Sequence, residues 1–434
     1  MDGGQGGQGT GGSGPGATGG APPAGGAGGA GPSASGGTGG RAIDGSGGAG
    51  RNGSGGAIAT GGSSGATGGA GRNGSGGAVA TTGGSSGPSG GTSGAGGAMV
   101  PGGIPLFVAG GYRGRTTISC DDGATWVANH SDDDSVCPNH DCGEVANSIT
   151  GVTYGGGYFF VSRGWGQPGN VLRSQDGVTW TQIYSGKQFG GVAYGGDRLV
   201  VGTGWQDAYW SANATQAAMP TFTAAQSLSG LLGNNTGSIR NVSYHPFGGG
   251  RFILIPDDGA GMRKIAVSRD LGRTYTLGTM SNDTCASRVT DVVSGGDIIV
   301  GISDETGWAC RSTDGGATWT GKQISTAGLS RKMIWNGSEF LVYGGGAGYR
   351  SADGDTWTRF TLTPANLKFG AIARSSVTGT IVASTPYGTD YTAQKFYRSA
   401  DGVSWQVLAA GAFVGSHLIE HMSFGHGQRS AACP

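Results

Sequence analysis

The sequence predicts an all-β fold: a seven-bladed β-propeller of four-stranded blades, closed by pairing of its N- and C-terminal strands and preceded by a disordered glycine-rich tether. Three observations lead to this prediction. Composition divides the chain into two parts, a turn motif recurs through the second part, and an apolar strand–turn–strand unit precedes the copies of that motif. A repeat of this size is typical of propeller blades.

Residues 1–103 differ in composition from the rest of the chain. Of the 98 glycines in 434 residues, 44 fall among the first 100, where there is no aromatic residue and no cysteine. Such a segment has almost nothing to bury and cannot offset the entropy of ordering. We therefore expect a disordered Gly/Ser/Ala-rich linker at 1–103 and a folded domain at 104–434.

The charge balance limits the classes of partner. Lysine and arginine total 27, as do aspartate and glutamate, so the net charge is zero. This argues against a partner that is bound through bulk charge, such as nucleic acid or an anionic membrane. The chain also lacks an apolar run long enough for a transmembrane helix. We expect a monomer.

The turn motif contains Ser, Asp, Gly and Thr (once Ser), followed by an aromatic residue. Asp and Ser side chains can bond nearby backbone donors, Gly supplies positive φ, and the aromatic residue opens the next strand with its ring packed back. We therefore assign its aspartates a structural role and no part in catalysis. These are Asp121, Asp176, Asp270, Asp314, Asp353 and Asp401.

The spacing of the motif counts the blades. Its opening serines are 55, 94, 44, 39 and 48 residues apart. The longest interval is about twice the others and contains a degenerate copy at Trp210–Asn213. Seven copies with an average spacing of about 47 residues therefore predict seven blades.

The strand–turn–strand unit predicts how the ring closes. It is clearest at Gly151–Val161 and Gly191–Val201. Two strands there and two around each turn motif make a four-stranded blade. The seventh unit starts at His421 and the chain ends before its second strand, so Pro105–Ala109 should supply that strand. Joining the two ends removes an exposed sheet edge.

Six cysteines, all in the predicted folded domain, are compatible with three disulfides and an oxidising compartment. If the strands of each blade run alternately up and down, Cys120 and Cys433 share the bottom of one blade. Cys285 and Cys310 then share the top of another, and Cys137 and Cys142 share one insertion. We predict the pairs Cys120–Cys433, Cys285–Cys310 and Cys137–Cys142.

The residues where each inner strand begins should line the top mouth of the central channel. On one side of the ring they are small, and on the other they gather charge. The charged set is Arg240, Asp291, Arg331, Lys332, Glu420 and His421. We predict a ligand site at this mouth, with an ordinary solvated rim as the alternative. If the protein is an enzyme, Glu420, His421 and Asp291 are its candidate catalytic residues.

Loops on the same face add indoles and carboxylates. These are Trp165, Trp205, Trp308, Asp304 and Glu305. An indole beside a carboxylate suits a sugar ring, because it offers an apolar face and a hydrogen-bond acceptor together. The alternative is that the aromatic side chains only pack the loops.

Two segments resemble metal sites. His417–His421 reads H-x-x-E-H, the string of inverted zinc peptidases, which requires a helix. Here it leads into a predicted strand, which would hold its first and last residues about 13 Å apart. The segment Cys137–Cys142 contains His140, although a disulfide in an exposed acidic loop is the simpler interpretation. We expect no cofactor and no zinc, with bound Ca²⁺ as an alternative.

The turn motif resembles the Asp-box, or bacterial neuraminidase repeat, and the resemblance covers residues 104–434. Sialidases, sortilin-like domains, xyloglucan-degrading propellers and photosystem assembly factors carry this box. Sialidases also use an arginine triad, which cannot be assigned here. The linker resembles the spacer of bacterial surface lipoproteins without their lipidated cysteine. That resemblance implies an extracellular or cell-surface location, with a membrane reached only through a lost N-terminal lipid anchor.

Two classes of function follow from this reasoning. The first is a non-catalytic module that recognises a glycan or another extracellular polymer at the channel mouth. The second is a sialidase-like glycoside hydrolase or a polysaccharide lyase acting at the same mouth. A structural or protein-docking propeller is the remaining alternative.

Overall fold

The structure, a computed structural model, describes residues 102–128, 148–164, 169–204, 207–226, 228, 230–232, 239–256, 264–280, 289–386, 394–413 and 418–434. Within them, 29 strands form seven sheets. The predicted all-β, seven-bladed propeller is confirmed. The predicted linker lies outside the described residues except for its last two positions. The two short 3-10 segments are Tyr112–Gly114 and Phe247–Gly249. In the described part of the chain, no helix is long and apolar enough to cross a membrane.

In each of the first four blades, the strands are named in order from the inside of the ring to its outer edge. Blade 1 contains β29 (Ile419–Gly427), β1 (Ile104–Gly111), β2 (Thr116–Ser119) and β3 (Val127–Ala128). Blade 2 contains β4 (Ile149–Gly155), β5 (Tyr158–Arg163), β6 (Asn170–Ser174) and β7 (Thr181–Ser185). Blade 3 contains β8 (Phe189–Gly195), β9 (Arg198–Thr203), β10 (Ala208–Ser211) and β11 (Thr223–Ala224). Blade 4 contains β12 (Ile239–His245), β13 (Arg251–Pro256), β14 (Ala266–Ser268) and β15 (Thr276–Leu277).

The remaining three blades follow in the same order. Blade 5 contains β17 (Asp291–Gly295), β18 (Ile298–Ile302), β19 (Trp308–Ser312) and β20 (Thr318–Gln323). A fifth strand, β16 (Thr279–Met280), pairs in parallel with β20 at its outer edge. Blade 6 contains β21 (Leu329–Trp335), β22 (Phe340–Gly344), β23 (Ala347–Ser351) and β24 (Thr358–Phe360). Blade 7 contains β25 (Ile372–Arg374), β26 (Ile381–Ser384), β27 (Phe396–Ser399) and β28 (Gln406–Val407).

The ring closes in blade 1, where the last strand of the chain pairs with the first. Strand β29 lies antiparallel to β1 from Ile104 opposite Gly427 to Gly111 opposite Ile419. A disulfide joins Cys120, in the turn after β2, to Cys433, beyond β29. This is the pair that the strand order predicted. Cys310 is also disulfide-bonded, and its partner lies outside the described residues, as do Cys285, Cys137 and Cys142.

Each blade buries both faces against its neighbours. Seven apolar clusters result, one at each junction between adjacent blades. Between blades 7 and 1, Trp126 stacks on Phe396 with ring centroids 4.4 Å apart. Near the axis, a Cβ on Gly195 would lie 2.1 Å from the ring of Tyr244. Glycine at this position therefore lets neighbouring inner strands approach closely.

The turns between the third and fourth strands all lie at the bottom of the ring, because the strands of each blade alternate in direction. In blade 2, Ser174 Oγ donates to Asp176 Oδ1 at 2.8 Å. The Thr179 N–H donates to the same oxygen at 2.7 Å. The degenerate copy keeps this geometry, since Ser211 Oγ donates to Asn213 Oδ1 at 3.0 Å. These hydrogen bonds are those expected of a structural role.

Ionisation of the turn aspartates is favoured by the fold. Burial alone would raise the pKa of Asp176, but donors from Thr179, Val178 and Ser174 outweigh it and hold the pKa below its usual value. The same direction holds for the other five aspartates of the motif. A carboxylate that accepts several backbone N–H bonds is stabilised in its charged form. The turns therefore contribute stability only while these aspartates are ionised.

The first prediction concerns the disulfide at the ring closure. Cys120 and Cys433 are 313 residues apart, so their bond constrains a very long loop of the unfolded chain. Replacing Cys433 by Ser should lower the free energy of unfolding by about 3–5 kcal/mol. Differential scanning calorimetry of the variant against the wild-type protein measures this. Cys120→Ser, at an exposed position, should have the same effect, and an unchanged melting temperature in Cys120→Ser contradicts the prediction.

The second prediction concerns the turn of blade 2. Asp176→Ala removes the acceptor of the hydrogen bonds described above and should lower the free energy of unfolding by about 1–2 kcal/mol at pH 7. Because the pKa of Asp176 is lower in the folded than in the unfolded protein, the wild-type advantage is complete above about pH 4. It should vanish as the pH falls through the lowered pKa. Urea unfolding of both proteins between pH 7 and pH 2 tests this, and a constant difference across that range would contradict it.

Candidate functional site

A cavity of about 300 Å³ occupies the top of the ring, over the axis. It lies where the inner strands begin, and it is lined by residues from all seven blades. One side is formed by small or apolar groups, such as Thr150, Phe189 and Gly190. The opposite side carries the polar and charged residues Asn241, Asp304, Arg331, Lys332, Lys368, Glu420 and His421. The site therefore has one neutral wall and one charged wall.

Asp291 holds the charged wall in place from beneath. Its carboxylate is 1% exposed. Oδ1 accepts hydrogen bonds from Asn241 Nδ2 at 2.9 Å and Lys332 Nζ at 3.4 Å. Oδ2 accepts one from the Met333 N–H at 2.9 Å. Asp291 does not line the cavity, so its role is to position Asn241 and Lys332 rather than to contact a ligand there.

Asn241 lines the cavity and has a buried oxygen without a hydrogen-bond partner in the described residues. Both side-chain hydrogen bonds that Asn241 makes within the described residues use Nδ2, which donates to Thr290 O at 3.1 Å and to Asp291 Oδ1. Its Oδ1 is buried and has no hydrogen-bond partner among the residues that the structure describes. A buried acceptor left unpaired costs about 1–3 kcal/mol. Because this oxygen is buried, a ligand in the cavity could donate to it only after the Asn241 side chain turns toward the cavity.

Asp304, on blade 5, also has a buried oxygen without a hydrogen-bond partner among the described residues. Its Oδ2 accepts a hydrogen bond from Arg331 Nε at 3.2 Å, and the pair forms a salt bridge. Its Oδ1 is buried and unpaired within the described part of the chain. Asp304 is 9% exposed, whereas the Arg331 side chain is 42% exposed. The cavity wall thus combines two buried acceptors with exposed or half-buried cations.

Glu420 and His421 connect the cavity to a smaller hollow beneath it. Both residues are half-buried and line the cavity and the hollow. The hollow has a volume of about 10 Å³, close to that of one water probe, and Lys332 also lines it. An ordered water there would contact three titratable side chains.

The structure brings together most of the residues predicted for the mouth. Asp304, Arg331, Lys332, Glu420 and His421 line one cavity, whereas Asp291 lies beneath it. Glu305 and Trp308 do not line this cavity, because Glu305 follows Asp304 in the β18–β19 connection and Trp308 is already the first residue of β19. The side chain of Arg240, and Trp165, Trp205 and His417, lie outside what the structure describes. No group of three or more His, Cys, Asp or Glu in the described residues could hold a metal ion.

Sequence reasoning missed Lys368 and the importance of Asn241. Lys368 is exposed and lines the cavity beside Phe369, one position upstream of the residues predicted to begin the inner strand. Extending the predicted mouth residues by one position on the N-terminal side of each inner strand would have included Lys368. The unpaired oxygen of Asn241 has no signal in the sequence, because it depends on contacts with blade 5.

No protein-family model and no curated protein matches the sequence. Among solved structures, a protein from Lactobacillus plantarum is similar at 12% identity and TM-score 0.49, over 75% of this chain and 100% of that one. YCF48 from Cyanidioschyzon merolae is similar at 16% identity and TM-score 0.44, over 73% and 91%. The GH74 enzyme of Niastella koreensis is similar at 15% identity and TM-score 0.38, over 77% and 67%. These similarities concern only the backbone fold.

The third prediction tests the position of Asp291. Asp291→Asn removes the counter-charge of Lys332, whose side chain is only 13% exposed. Removing one partner of a buried pair should lower the free energy of unfolding by about 3 kcal/mol or more. The double variant Asp291→Asn/Lys332→Met removes the unpaired charge and should recover much of this loss. Urea unfolding midpoints measure both, and wild-type stability of the single variant would contradict the positioning role.

Proposed function

We propose that the protein is a glycan-recognition propeller, which binds a sugar unit of an extracellular polymer in the cavity at its channel mouth. The observation that carries this proposal is the pair of buried, unpaired acceptors, Asn241 Oδ1 and Asp304 Oδ1, in a wall that also holds cations. A ligand that reaches the two oxygens, once their side chains turn toward the cavity, donates hydrogen bonds to them, and it accepts hydrogen bonds from Arg331, Lys332 or Lys368.

Hydroxyl groups meet both requirements at once, because each can donate and accept. A simple anion such as sulfate could accept from the three cations, but it has no proton to donate to Asn241 Oδ1 or Asp304 Oδ1. A polyhydroxylated ligand therefore fits the wall better than an anion. The neutral opposite wall, with Thr150 and Gly190, carries no charge and so accommodates the less polar face of a sugar ring.

The volume of the cavity supports a small part of a polymer as the ligand. About 300 Å³ is at the lower end of the range for small-molecule sites. The cavity is bounded by residues of all seven blades. A chain end or a branch of a polysaccharide could enter it from above, whereas an internal segment would have to bend sharply.

The proposed location is outside the cytoplasm. The disulfide at the ring closure and the further bond of Cys310 are typical of an oxidising compartment. The glycine-rich residues 1–103 would then tether the domain to a cell surface, as in the lipoproteins that the linker resembles. The turn geometry supports membership of the Asp-box propellers, which is part of this proposal.

The fourth prediction tests the mouth directly. We expect the wild-type protein to bind members of a glycan array, and Asn241→Ala and Lys368→Ala each to weaken that binding roughly tenfold. Lys322→Ala is the matched control, since Lys322 is exposed on β20 and does not line the cavity. Thermal melts of each variant separate lost binding from lost folding. Equal affinities of Lys368→Ala and Asn241→Ala with the wild-type protein would contradict the proposal.

A second candidate function is a glycoside hydrolase or polysaccharide lyase at the same mouth. It is favoured by Glu420 and His421, which line both the cavity and the water-sized hollow beneath it. Asp304 supplies a second carboxylate to the cavity wall, as two-carboxylate hydrolysis requires. Reducing-sugar and unsaturated-product assays on the glycans that bind decide this. Glu420→Gln should reduce turnover by about 100-fold or more if Glu420 transfers a proton, and absence of product from the wild-type protein excludes the enzyme.

A further inference from the structure

A second cavity lies on the side of the ring, in a groove between blades 5 and 6. Its volume is about 430 Å³, and it shares no lining residue with the cavity at the channel mouth. One wall is the connection between β20 and β21, including Gln323 and Ser325. The other wall belongs to blade 6 and includes Tyr349, Trp357 and Arg359. We call this cavity the side groove.

Trp357 is more exposed than most aromatic residues at its repeat position, a feature it shares only with Trp180 of blade 2 among the six copies of the motif. It is the aromatic residue that follows the turn motif, and its equivalents Trp126, Tyr275, Trp319 and Trp405 are between 0% and 5% exposed. Trp357 is half-buried and lines the side groove. Its Nε1 donates to Gly354 O at 3.1 Å, as that of Trp405 donates to Gly402 O at 3.1 Å. The orientation of the indole is therefore set by the repeat, while its surface is left accessible by the groove.

The floor of the side groove is held by a chain of hydrogen bonds. Tyr349 is 7% exposed, and its hydroxyl donates to Ser325 Oγ at 3.2 Å. Ser325 Oγ in turn donates to Ala327 O at 2.7 Å. The groove stays open at one end because Gly345, with φ of 58°, has no side chain. A Cβ there would lie 2.9 Å from Cβ of Ala327. The groove is thus formed before any ligand binds.

Polar side chains lie beside the half-buried indole of Trp357. Arg359, on β24, pairs with Tyr349 of β23, so their side chains project to the same face of the sheet, and both line the groove together with Trp357. Arg359 is exposed and forms no ion pair within the described residues. Gln323 is exposed, and its Nε2 donates to Thr306 O at 3.3 Å, which leaves Oε1 as an acceptor toward a ligand.

We propose that the side groove is a second saccharide-binding site, in which a sugar ring stacks on Trp357 while Arg359 and Gln323 bond its hydroxyls. An indole offers an apolar face to the C–H groups of the ring. Arginine donates and the glutamine oxygen accepts, which matches the two roles of a hydroxyl group. Because the groove is open along the side of the ring, it suits an internal segment of a glycan rather than a chain end.

The test measures binding of an array of defined glycans to the full chain, followed by calorimetric titration of the glycans that bind. Trp357→Ala and Arg359→Ala should each weaken binding of a common set of these glycans roughly tenfold. Trp180→Ala is the control for the indole, since Trp180 is half-buried at the same repeat position in blade 2. Arg350→Ala is the control for the charge, since Arg350 is exposed on β23, where it neighbours Tyr349 and so points to the opposite face. Neither control should change affinity.

The outcomes separate the side groove from the channel mouth. Loss of binding in Arg359→Ala with unchanged affinity in Lys368→Ala supports the groove and contradicts the mouth site. Unchanged affinity in both Trp357→Ala and Arg359→Ala overturns the groove, whatever the mouth variants do. Binding of a decaproline peptide to the groove in place of any glycan also overturns it. Because Arg359 is exposed, its variant should fold even if Trp357→Ala is unstable.

Discussion

Closure of the ring is the constraint on which the rest of the structure depends. A blade is apolar on both faces, so it is stable only between two neighbours, and seven blades give seven junctions only when the last meets the first. Strand β29 meets this requirement by becoming the innermost strand of blade 1. At the same junction, the Asp122 carboxylate accepts hydrogen bonds from Thr378 Oγ1 at 2.7 Å and Arg398 Nη2 at 3.1 Å of blade 7. The Cys120–Cys433 disulfide lies in the same blade, at the bottom of the ring.

The polar groups at the bottom and at the top of the ring differ in how fully they are hydrogen-bonded. At the bottom, the carboxylates of the turn motif are saturated by donors from their own turn, as for Asp176. At the top, the oxygens of Asn241 and Asp304 are buried without partners in the described residues. Saturated groups stabilise a scaffold, whereas unpaired ones at a cavity wall are where a ligand gains hydrogen bonds. The same fold therefore separates a structural end from a candidate binding end.

Repetition also makes departures from the pattern informative. The aromatic residue of the turn motif is buried in four blades and half-buried in two, and one of the two half-buried residues, Trp357, lines the side groove. The proposed mouth site would take a chain end, and the proposed side groove an internal segment. A polymer that engaged both would be held by two linked contacts, so that binding at one raises the effective concentration at the other.

The amino-acid sequence by itself determined the number of blades, the strand that closes the ring and the Cys120–Cys433 pair. It could do so because turn chemistry and strand alternation are local, and the repeat places each copy at the same point of a blade. It also placed Arg331, Lys332, Glu420 and His421 at the mouth. Only the tertiary structure decided that Asp291 supports the wall from beneath, that the Asp304 and Asn241 oxygens are unpaired, and that Trp357 borders a groove. These features depend on distances between different blades, where residues about 40 or 50 positions apart meet, and no local pattern encodes them.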